Sequence, residues 1–490
     1  MAKQDATQQT QAKRKKTRPK GMTVPRQPMA ELSVEERLKG FREVAQGYDE
    51  QTARVEAERC LQCKKPVCIA GCPVNIDIPR FIQQIAEGDY PGALETMKKD
   101  NFMPAICGRV CQQENQCEAV CVLAKKYEPV AVGRLERFIG DWERVHGDGR
   151  AKPRELPPPS GYKVGVIGSG PAGLTAAFDL RMAGHEVTIF EALHKPGGVL
   201  TYGIPEFRMP NDIIAENVEY LRSLGVELRC DFVVGLTATV DQLLTEDGYD
   251  ALFIATGAGL PKFLRIEGEN LCGVFSANEF LTRVNLMVSY KFPDYDTPMI
   301  VGDEVAVLGA GNTAMDAART ARRLSRGRVR IIYRRSIKEV PARAEEFEHA
   351  QQEGVEFLFL TAPVRVLGNE EGWVRAIEVQ KMELGEPDDS GRARPIPIEG
   401  SNYIIELDTV INAIGTSSNK TLFQTAPDIE RDKWGYVVTD PETLATSKPG
   451  VYAGGDIVGS GATVIKAMGD GRVAAKSINE YLKTLAPRKR

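Results

Sequence analysis

The sequence predicts an α/β protein in which two Rossmann-like units follow a small α-helical domain. Two observations lead to this fold class. Eight of the ten cysteines fall between Cys60 and Cys121, which marks a distinct N-terminal domain. Beyond residue 160, a pattern of buried strand, glycine-rich turn, helix and second strand occurs twice. A chain of 490 residues is long enough for about three domains of ordinary size, which agrees with this division.

Composition and charge exclude several functional classes. The chain carries a formal net charge of -4 and shows no aromatic RNA-binding pattern, so nucleic acid is not expected as a partner. No apolar run approaches the roughly 20 residues that span a bilayer, so we expect no membrane segment. The first residues lack the apolar stretch of a secretory signal, which favours a cytoplasmic location. The basic run Lys13–Lys20 is interpreted as part of a disordered tail, with docking to an acidic protein as the alternative.

The clustered cysteines form two runs of similar spacing. The first reads Cys-x2-Cys-x4-Cys-x3-Cys-Pro, a variant of the bacterial ferredoxin pattern in which the last cysteine serves the other cluster. The second reads Cys-x3-Cys-x5-Cys-x3-Cys, and in a chain without a secretion signal such thiols indicate metal binding rather than disulfides. We therefore predict two [4Fe-4S] clusters. Each is bound by three cysteines of one run and by the last cysteine of the other run. The predicted ligand sets are Cys60, Cys63, Cys68 and Cys121 for one cluster and Cys72, Cys107, Cys111 and Cys117 for the other.

Two structural zinc sites of four cysteines each are the alternative for these runs. Zinc ribbons favour paired Cys-x2-Cys knuckles, whereas the three-residue spacings and the Cys-Pro ending fit clusters better. Between the runs, residues 78–99 predict an amphipathic helix that is interrupted at Gly88-Asp89. The domain should be small and helical, and its clusters should supply much of its stability. Pro153 and the three prolines at 157–159 then predict a stiff linker.

The first nucleotide-binding unit begins directly after the linker. A buried-strand run over 163–167 leads into the turn Gly-Ser-Gly-Pro-Ala-Gly, and a helix and a second strand over 186–190 follow. The first glycine makes the bend, the second lets the backbone approach a pyrophosphate, and the third permits close packing of helix on strand. An acid at the end of the second strand can accept a ribose hydroxyl. The predicted binding residues are Gly168, Ser169, Gly170, Pro171, Ala172, Gly173 and Glu191.

The second nucleotide-binding unit repeats this pattern with a strand over 304–308, the turn Gly-Ala-Gly-Asn-Thr-Ala, a helix and a strand over 329–333. Two arginines stand where the first unit has its acid. Because a fork of guanidinium donors suits a 2′-phosphate, NADPH is favoured over NADH. A charged strand end without that role is the alternative. The predicted binding residues are Gly309, Gly311, Asn312, Thr313, Arg334 and Arg335.

The C-terminal region indicates which unit holds a flavin. Residues 450–456 read as a short strand that delivers an acid into a glycine turn, where its carboxylate can bond a flavin ribityl hydroxyl. The helix that begins near Gly461 can turn its positive end toward the pyrimidine edge of the flavin and stabilise the reduced anion. A purely structural role for the Gly-Gly-Asp turn is the alternative. The predicted contacts are Gly455, Asp456, Ala462, Thr463 and Val464.

In combination, these motifs resemble the FAD-containing NADPH oxidoreductase family that includes the small (β) subunit of bacterial glutamate synthase. Besides the eight cysteines, the motifs that carry the resemblance are Cys107-Gly-Arg-Val-Cys111, Gly133-Arg-Leu-Glu-Arg137, Pro196-Gly-Gly198, Tyr202-Gly-Ile-Pro205, Ala255-Thr-Gly257, Pro341-Ala-Arg343 and Ala453-Gly-Gly-Asp456. The resemblance implies that FAD occupies the first unit and NADPH the second, which is inserted within a discontinuous flavin domain in the manner of disulfide reductases. It also implies flavin contacts by Gly198, Leu200 and Gly257, and crossover strands over 251–256 and 410–415.

The resemblance further implies the domain boundaries. We expect a basic tail over 1–28, a helical domain with two clusters over 29–155, a first part of the FAD-binding domain over 156–285, an NADPH-binding domain over 286–415 and the second part of the FAD-binding domain over 416–490.

The implied activity is that of an electron-input subunit, from NADPH to FAD to the clusters and on to a partner. Because the chain offers no N-terminal cysteine nucleophile and no FMN barrel, glutamate synthesis would need a large, glutamate synthase α-like subunit. The core also resembles the electron-input half of dihydropyrimidine dehydrogenase and the large subunit of electron-bifurcating NADH-dependent ferredoxin:NADP oxidoreductase. In the bifurcating case the partner is a flavin and [2Fe-2S] small subunit, with ferredoxin as a further partner. Hydride transfer between stacked rings needs no acid–base group, so no catalytic residue is predicted.

Two other classes are weighed against this interpretation. A disulfide reductase uses the same cofactors but needs two neighbouring cysteines near the flavin, whereas Cys230 and Cys272 stand alone and are expected to be small buried residues. A redox sensor that binds nucleotides without turnover is the alternative outside the enzymes.

Overall fold

The computed structural model describes residues 22–146, 155–388, 391–459 and 463–485. The basic run Lys13–Lys20, the linker residue Pro153 and the predicted flavin contact Ala462 lie outside the described residues. None of the helices in these ranges is both long and apolar enough to cross a bilayer.

Seven helices build the cysteine-rich domain, and local sequence signals set their ends. Asp77 caps the fourth helix by accepting from the Arg80 N–H, and Gly88, at φ +81°, ends it. Asp89 caps the fifth helix by accepting from the Gly92 N–H, so the break expected at Gly88-Asp89 separates two helices. The seven helices are α1 (Val34–Leu38), α2 (Glu50–Ala57), α3 (Val67–Ala70), α4 (Ile78–Glu87), α5 (Tyr90–Lys98), α6 (Pro104–Val110) and α7 (Val132–His146).

Helices α6 and α7 lie close together because glycines face the contact. A Cβ at Gly108 would lie 2.4 Å from the backbone nitrogen of Arg137, and one at Gly140 would lie 2.4 Å from the backbone nitrogen of Ala105. Neither position has room for a side chain, because protein interiors are already densely packed. The contact holds α6, which carries Cys107, firmly against α7.

Five parallel strands form the sheet of the first nucleotide-binding unit. In spatial order they are β16 (Val451–Ala453), β4 (Ala251–Ile254), β1 (Lys163–Ile167), β2 (Glu186–Phe190) and β3 (Glu227–Arg229). The edge strand β16 comes from the C-terminal region, so the unit is discontinuous in sequence. Its helices are α8 (Pro171–Met182), α9 (Val199–Tyr202), α10 (Asn211–Ser223), α11 (Val240–Thr245) and α15 (Val464–Thr484).

Five parallel strands also form the sheet of the second nucleotide-binding unit. In spatial order they are β6 (Val274–Ser276), β14 (Thr409–Asn412), β7 (Glu304–Leu308), β8 (Arg328–Tyr333) and β9 (Glu356–Phe359). Strand β6 belongs to this sheet although it precedes the boundary expected at residue 286. The helices of the unit are α12 (Ala277–Leu281), α13 (Asn312–Leu324) and α14 (Ala344–Gln352).

The chain crosses between the two units twice. The predicted crossover strands, β4 and β14, do not pair with each other because they lie in different sheets. The short strands that follow them, β5 (Leu260–Pro261) and β15 (Thr416–Ser417), form an antiparallel ribbon between the units. A separate antiparallel sheet is inserted into the second unit and consists of β10 (Thr361–Gly368), β11 (Val374–Pro387), β12 (Ala393–Pro397) and β13 (Tyr403–Glu406).

The cysteine-rich domain contacts the second unit as well as the first. Arg37, in α1, donates to the side-chain oxygen of Gln352, the last residue of α14, at 2.8 Å. Arg343, which precedes α14, donates to the Arg109 carbonyl oxygen at 2.6 Å, within the second cysteine run. The two glycine turns and the cysteines are therefore parts of one connected framework.

Candidate functional site

The first glycine turn lies between the end of β1 and the start of α8. Gly168 has φ +107°, and a Cβ there would lie 2.5 Å from the Ala255 carbonyl oxygen, so only glycine fits. A Cβ at Gly173 would lie 1.9 Å from the Gly168 carbonyl oxygen, because α8 packs tightly on the turn. A Cβ at Gly170, by contrast, would meet no atom within 4 Å. The turn is closed toward the protein and open on the side where a pyrophosphate would approach the backbone.

Glu191 is buried at the end of β2, where the chain itself already engages its carboxylate. One oxygen accepts from the Ser169 N–H at 3.0 Å and also from the Ser169 hydroxyl. The other oxygen accepts from the Leu193 N–H at 2.8 Å, and Ser169 accepts from the Gly197 N–H at 2.9 Å. A carboxylate has about four acceptor sites, so a ribose hydroxyl can still bind. The structure adds a role that the motif did not indicate, since Glu191 also fixes the glycine turn.

Three further predicted flavin contacts differ in the space around them and in their burial. A Cβ at Gly257 would meet nothing within 4 Å. Gly198 lies against the first turn, where a Cβ would come 2.9 Å from the Gly170 Cα. Leu200 is completely buried, so it supports this region from the core and offers no surface to a ligand.

The start of α15 adjoins the Gly-Gly-Asp turn, as the sequence predicts. Thr463 precedes the helix, which begins at Val464, and its side chain makes no capping bond to the first N–H groups of the helix. Asp470, on the same helix, accepts from the Gly455 N–H at 2.8 Å. Burial raises the pKa of Asp456, and the nearby Asp470 carboxylate raises it further.

The second glycine turn has the same shape as the first. Gly309 has φ +121°, and a Cβ there would lie 2.6 Å from the Ala413 carbonyl oxygen. A Cβ at Gly311 would meet no atom within 4 Å. The side chain of Asn312 accepts from the Arg343 N–H at 2.8 Å, so it secures the loop before α14. The backbone geometry fits a second pyrophosphate at this turn.

The two arginines after β8 have different surroundings. Arg335 is buried, its Nε donates to the Ala393 carbonyl oxygen at 2.8 Å, and its Nη2 pairs with Asp388. Arg334 is exposed. Arg335 therefore anchors the β11–β12 hairpin, and the fork of two free guanidinium groups expected from the sequence is reduced to Arg334. The sequence could not reveal this, because Asp388 lies 53 residues away from Arg335.

A cleft of about 310 Å³ lies between the two nucleotide-binding units. The first unit contributes Tyr436 and Asp456 to its lining, and the second contributes Asn278, Thr313 and Asn412. Two dinucleotides bound at the two turns would bring their reactive ends together here. Of these five residues, sequence reasoning missed the tyrosine and both asparagines. The one available signal was an asparagine at the end of the fully buried strand β14.

One spatial group of thiols combines three cysteines of the first run with the last cysteine of the second. Burial raises the pKa of Cys68 to about 11, and repulsion from Cys60, Cys121 and Cys63 contributes. Burial also raises the pKa of Cys60, again with contributions from Cys121 and Cys63. All four side chains are partly exposed.

The other spatial group contains Cys72 and the first three cysteines of the second run, all of them buried. Burial raises the pKa of Cys72 to about 11, and Cys111 contributes to that shift. The Cys107 and Cys111 thiols interact directly, and the pKa of Cys111 is raised by this bond and by burial. Burial raises the pKa of Cys117, with smaller contributions from Cys72 and Cys111. The structure thus brings together the same two sets of four that the crossed assignment proposes as ligands.

Both sets fit iron–sulfur clusters in their donor chemistry. Raised thiol pKa values mean that the thiolate form is unfavourable until a cation shares its charge, and soft thiolates suit iron. Across the described residues, no three His, Cys, Asp or Glu side chains come close enough to hold a single metal ion.

Helix α15 connects the buried thiols with the first glycine turn. The Met468 sulfur lies 3.4 Å from the Cys107 sulfur, and both side chains are wholly buried. Less than one helical turn further on, a Cβ at Gly471 would lie 2.4 Å from the Ala172 carbonyl oxygen. Residues 468–471 therefore contact both the buried cysteine group and α8, the helix that follows the first glycine turn.

The two remaining cysteines are not the buried residues that the sequence suggested. Cys272 is exposed and Cys230 is partly exposed. Cys272 lies in a turn next to Trp373, and Cys230 follows β3 at the edge of its sheet. Turns and sheet edges leave one side of a residue open to solvent, which the hydrophobic character of cysteine alone could not indicate.

Comparison with known protein families matches two parts of the chain. Residues 37–148 match the family described as dihydropyrimidine dehydrogenase domain II, 4Fe-4S cluster. Residues 162–471 match the family described as pyridine nucleotide-disulphide oxidoreductase, which is more than half of the 490 residues.

Individual relatives support the same assignment. The NADP(+)-dependent formate dehydrogenase subunit beta of Moorella thermoacetica is 39% identical over 437 residues, and the match covers 85% of this chain but only 60% of that relative. The glutamate synthase [NADPH] small chain of Azospirillum brasilense is 35% identical over 459 residues, covering 92% of this chain and 93% of the relative. The structure of Mycobacterium tuberculosis FprA in complex with NADPH shares the fold, with a TM-score of 0.55 and 20% identity, over 66% of this chain and 85% of FprA.

Proposed function

The chain belongs to the pyridine nucleotide-disulphide oxidoreductase family that includes glutamate synthase small chains, and from that premise we propose that it is an electron-input subunit. It oxidises NADPH and passes the electrons through FAD and [4Fe-4S] clusters to a large partner subunit. In the proposed complex, the partner uses them to form L-glutamate from glutamine and 2-oxoglutarate. Its enzyme class is that of NAD(P)H-dependent flavin and iron–sulfur oxidoreductases.

The proposed roles of the residues follow from the geometry of the two turns. When bound, the flavin supplies the change from two-electron hydride transfer to one-electron steps that clusters can carry. The open backbone at Gly170 and Gly311 receives the two pyrophosphates, and Asp456 bonds the ribityl chain of the flavin. The exposed guanidinium of Arg334 receives the 2′-phosphate of NADPH. The reduced state of the eight cluster-binding thiols favours a cytoplasmic location.

The observation that carries this proposal is the contact of α15 with both redox sites. Through Met468, the helix touches Cys107 of the buried cysteine group at 3.4 Å. Its Asp470 side chain accepts a hydrogen bond from the Gly455 N–H, in the proposed flavin turn, at 2.8 Å. A cluster on the buried thiols would therefore stand next to the flavin site, as an electron carrier between flavin and partner requires.

The partly exposed cysteine group is the proposed exit for electrons. The segments 60–76 and 119–127 around it contain no Asp or Glu, although the chain as a whole is net negative. Apolar side chains surrounded by cations form a surface that suits a partner with an acidic face. The exposed residues of this surface are Lys64, Lys65, Val67, Val120, Val122, Lys125 and Lys126.

The test is reconstitution with the partner. The chain is purified from its native cell under anaerobic conditions, and the bound protein is identified. NADPH oxidation is then measured with an artificial dye for the chain alone, and glutamate formation is measured with and without the partner. We expect dye reduction by the chain alone and glutamate formation only in the complex. Gly309→Ala is the matched control, because it closes the nicotinamide turn and should abolish NADPH oxidation while FAD and iron remain bound.

A second candidate is the large subunit of an electron-bifurcating NADH-dependent ferredoxin:NADP oxidoreductase. The formate dehydrogenase relative shows only that similar chains occur as subunits of other enzymes. Reduction of NADP+ by ferredoxin and NADH in the purified complex would establish the bifurcating role. NADPH binding without reduction of any dye would establish a sensor instead. Either result overturns the glutamate synthase assignment.

A further inference from the structure

Asn412 is a buried amide whose oxygen has no hydrogen-bond partner among the described residues. It ends β14, is 5% exposed and lines the cleft between the two units. Its Nδ2 donates to the Lys262 carbonyl oxygen at 3.0 Å. This bond fixes the orientation of the amide, because a carbonyl oxygen cannot pair with Oδ1. A buried acceptor without a partner is unfavourable, and the residue lines the cleft, so a ligand that enters the cleft can supply the missing donor.

The order of the strands shows which half of a dinucleotide reaches Asn412. The pyrophosphate belongs at the glycine turn after β7, and β8 and β14 flank β7 on opposite sides. Arg334 follows β8, so the adenosine half with its 2′-phosphate lies over β8. The nicotinamide half must then extend over the end of β14. Asn412 stands there in register with Leu308, the last residue before the turn.

The chemistry of the nicotinamide half limits the possible donors. Phosphate oxygens are acceptors and would repel Oδ1, so only the carboxamide N–H and the ribose hydroxyls can donate to it. The same cleft is lined by Asp456 and Tyr436 of the flavin side, so the ring end of the dinucleotide is the part held between the two units. The carboxamide is attached to that ring.

We propose that Asn412 is a positioning residue for the nicotinamide ring, whose carboxamide N–H donates a hydrogen bond to Oδ1. A small rotation of the amide admits the donor, and the bond to Lys262 keeps the other end of the side chain in place. The proposal rests on the proposed binding of NADPH at the second unit. The residue takes no part in the transfer itself, and its effect is to orient the ring toward the flavin.

The test is equilibrium binding to the full chain carrying its flavin and clusters, measured by isothermal titration calorimetry. Three ligands are compared: NADP+, its 3-acetylpyridine analogue, which lacks the amide N–H, and adenosine 2′,5′-bisphosphate, which lacks the nicotinamide half. We expect Asn412→Leu to bind NADP+ about tenfold more weakly, the loss of one buried hydrogen bond. It should bind the bisphosphate like the natural chain and should no longer distinguish NADP+ from the analogue.

The matched control is Asn217→Leu, on α10 and outside the cleft lining. Asn217 donates to the Ile213 carbonyl oxygen at 2.7 Å, so the control also loses a side-chain amide bond to a backbone carbonyl. It should keep the preference for NADP+ over the analogue. The absorbance of bound FAD and the iron content show that both variants are folded and loaded.

Three results would overturn the proposal. Unchanged NADP+ affinity in Asn412→Leu would show that the oxygen does not meet the ligand. Equal weakening for NADP+ and the analogue would assign the donor to a ribose hydroxyl. Weakening for the bisphosphate would show a general disturbance of the site. If the natural chain itself fails to bind NADP+, the proposed function fails, which is a distinguishable outcome.

Discussion

The helices that follow the two glycine turns are held in place by different interactions. Helix α8, after the first turn, packs backbone to backbone against α15 at Gly471. Helix α13, after the second turn, carries two buried arginines, Arg319 and Arg323. Both arginines place a fork on the carboxylate of Glu353, with four N–O distances between 2.7 and 3.0 Å.

This difference predicts that the two turns respond differently to pH and to substitutions. Close packing of small residues does not depend on charge, so the flavin turn should keep its shape over a wide range of conditions. Buried ion pairs hold a helix only while both partners stay charged. The nicotinamide turn should therefore be the more sensitive of the two to pH and to the loss of a single side chain.

The largest effect is expected from Glu353→Ala. The substitution leaves Arg323 buried without its carboxylate and Arg319 with Glu346 alone, which costs about 3–5 kcal/mol of unfolding free energy. Urea unfolding of the loaded chain measures this loss. Glu348→Ala, on the exposed side of α14, is the control and should change stability by less than about 0.5 kcal/mol. Equal effects of the two substitutions would show that the buried network does not hold α13.

Acid should weaken α13 before α8. Burial alone raises the pKa of Glu353, but Arg319 and Arg323 outweigh it and lower that pKa to about 2. Because the folded value lies below the ordinary 4.5, the stabilisation is complete above about pH 4.5 and is lost as pH falls toward 2. A shift of this size corresponds to about 3 kcal/mol. Hydrogen–deuterium exchange between pH 3 and 6 should show α13 losing protection first, and Glu353→Gln should remove the difference.

Gly471→Ala tests the other side of the comparison. Its Cβ would lie 2.4 Å from the Ala172 backbone oxygen, so α15 must move away from α8. Overpacking of this kind costs about 1–3 kcal/mol, and the displaced turn should release FAD. The ratio of flavin to protein absorbance after gel filtration measures the loss. Lys476→Ala, on the exposed face of the same helix, should retain FAD fully, and equal retention in both variants would contradict the packing argument.

The smallest effect is expected at the residues that follow β2 and β8, the second strands of the two glycine-turn motifs. There, Glu191 holds the first glycine turn and Arg335 holds the β11–β12 hairpin. Arg334→Ala should weaken NADP+ binding about tenfold without changing stability, because it removes the exposed charge that we propose as the contact of the 2′-phosphate. Arg335→Ala should lower stability instead, since it removes the ion pair with Asp388 and the hydrogen bond to the Ala393 carbonyl oxygen, which together hold the β11–β12 hairpin. Calorimetry with NADP+ and with NAD+ separates the two effects, and a larger loss of NADP+ affinity in Arg335→Ala would reverse the assignment.

Sequence reasoning located the elements of the fold because their signals are local. The strands over 163–167, 186–190 and 304–308 have the predicted bounds, since buried strands between glycine turns leave an unambiguous pattern. The family assignment followed from the cysteine count and the two glycine turns together. The short strand expected before the Gly-Gly-Asp turn is present as well, since β16 ends at Ala453, directly before that turn. The flavin contact of Asp456 stays a prediction.

The interactions that the sequence did not reveal join residues far apart in the chain. A helix bearing Arg319 and Arg323 looks solvent-exposed until Glu353, 34 residues beyond the first of them, is brought against it. Arg335 likewise looked free for a phosphate until the hairpin folded back onto it. Side-chain partners of this kind depend on tertiary packing, which periodicity within one helix does not encode. The same limit applies to Asn412, which stands out because its side-chain oxygen has no hydrogen-bond partner among the described residues.

Strand β16 and helix α15 also impose an order on the biogenesis of the protein. Strand β4 ends at Ile254, but its neighbour β16 begins only at Val451, after the whole second unit has been synthesised. On the ribosome, the nicotinamide unit can fold from a continuous stretch of nascent chain, whereas the flavin unit still lacks an edge strand and the helix that seals α8. The first unit is therefore complete only after its C-terminal strand and helix have been synthesised, and the buried cysteine group acquires its contact with Met468 at that same stage.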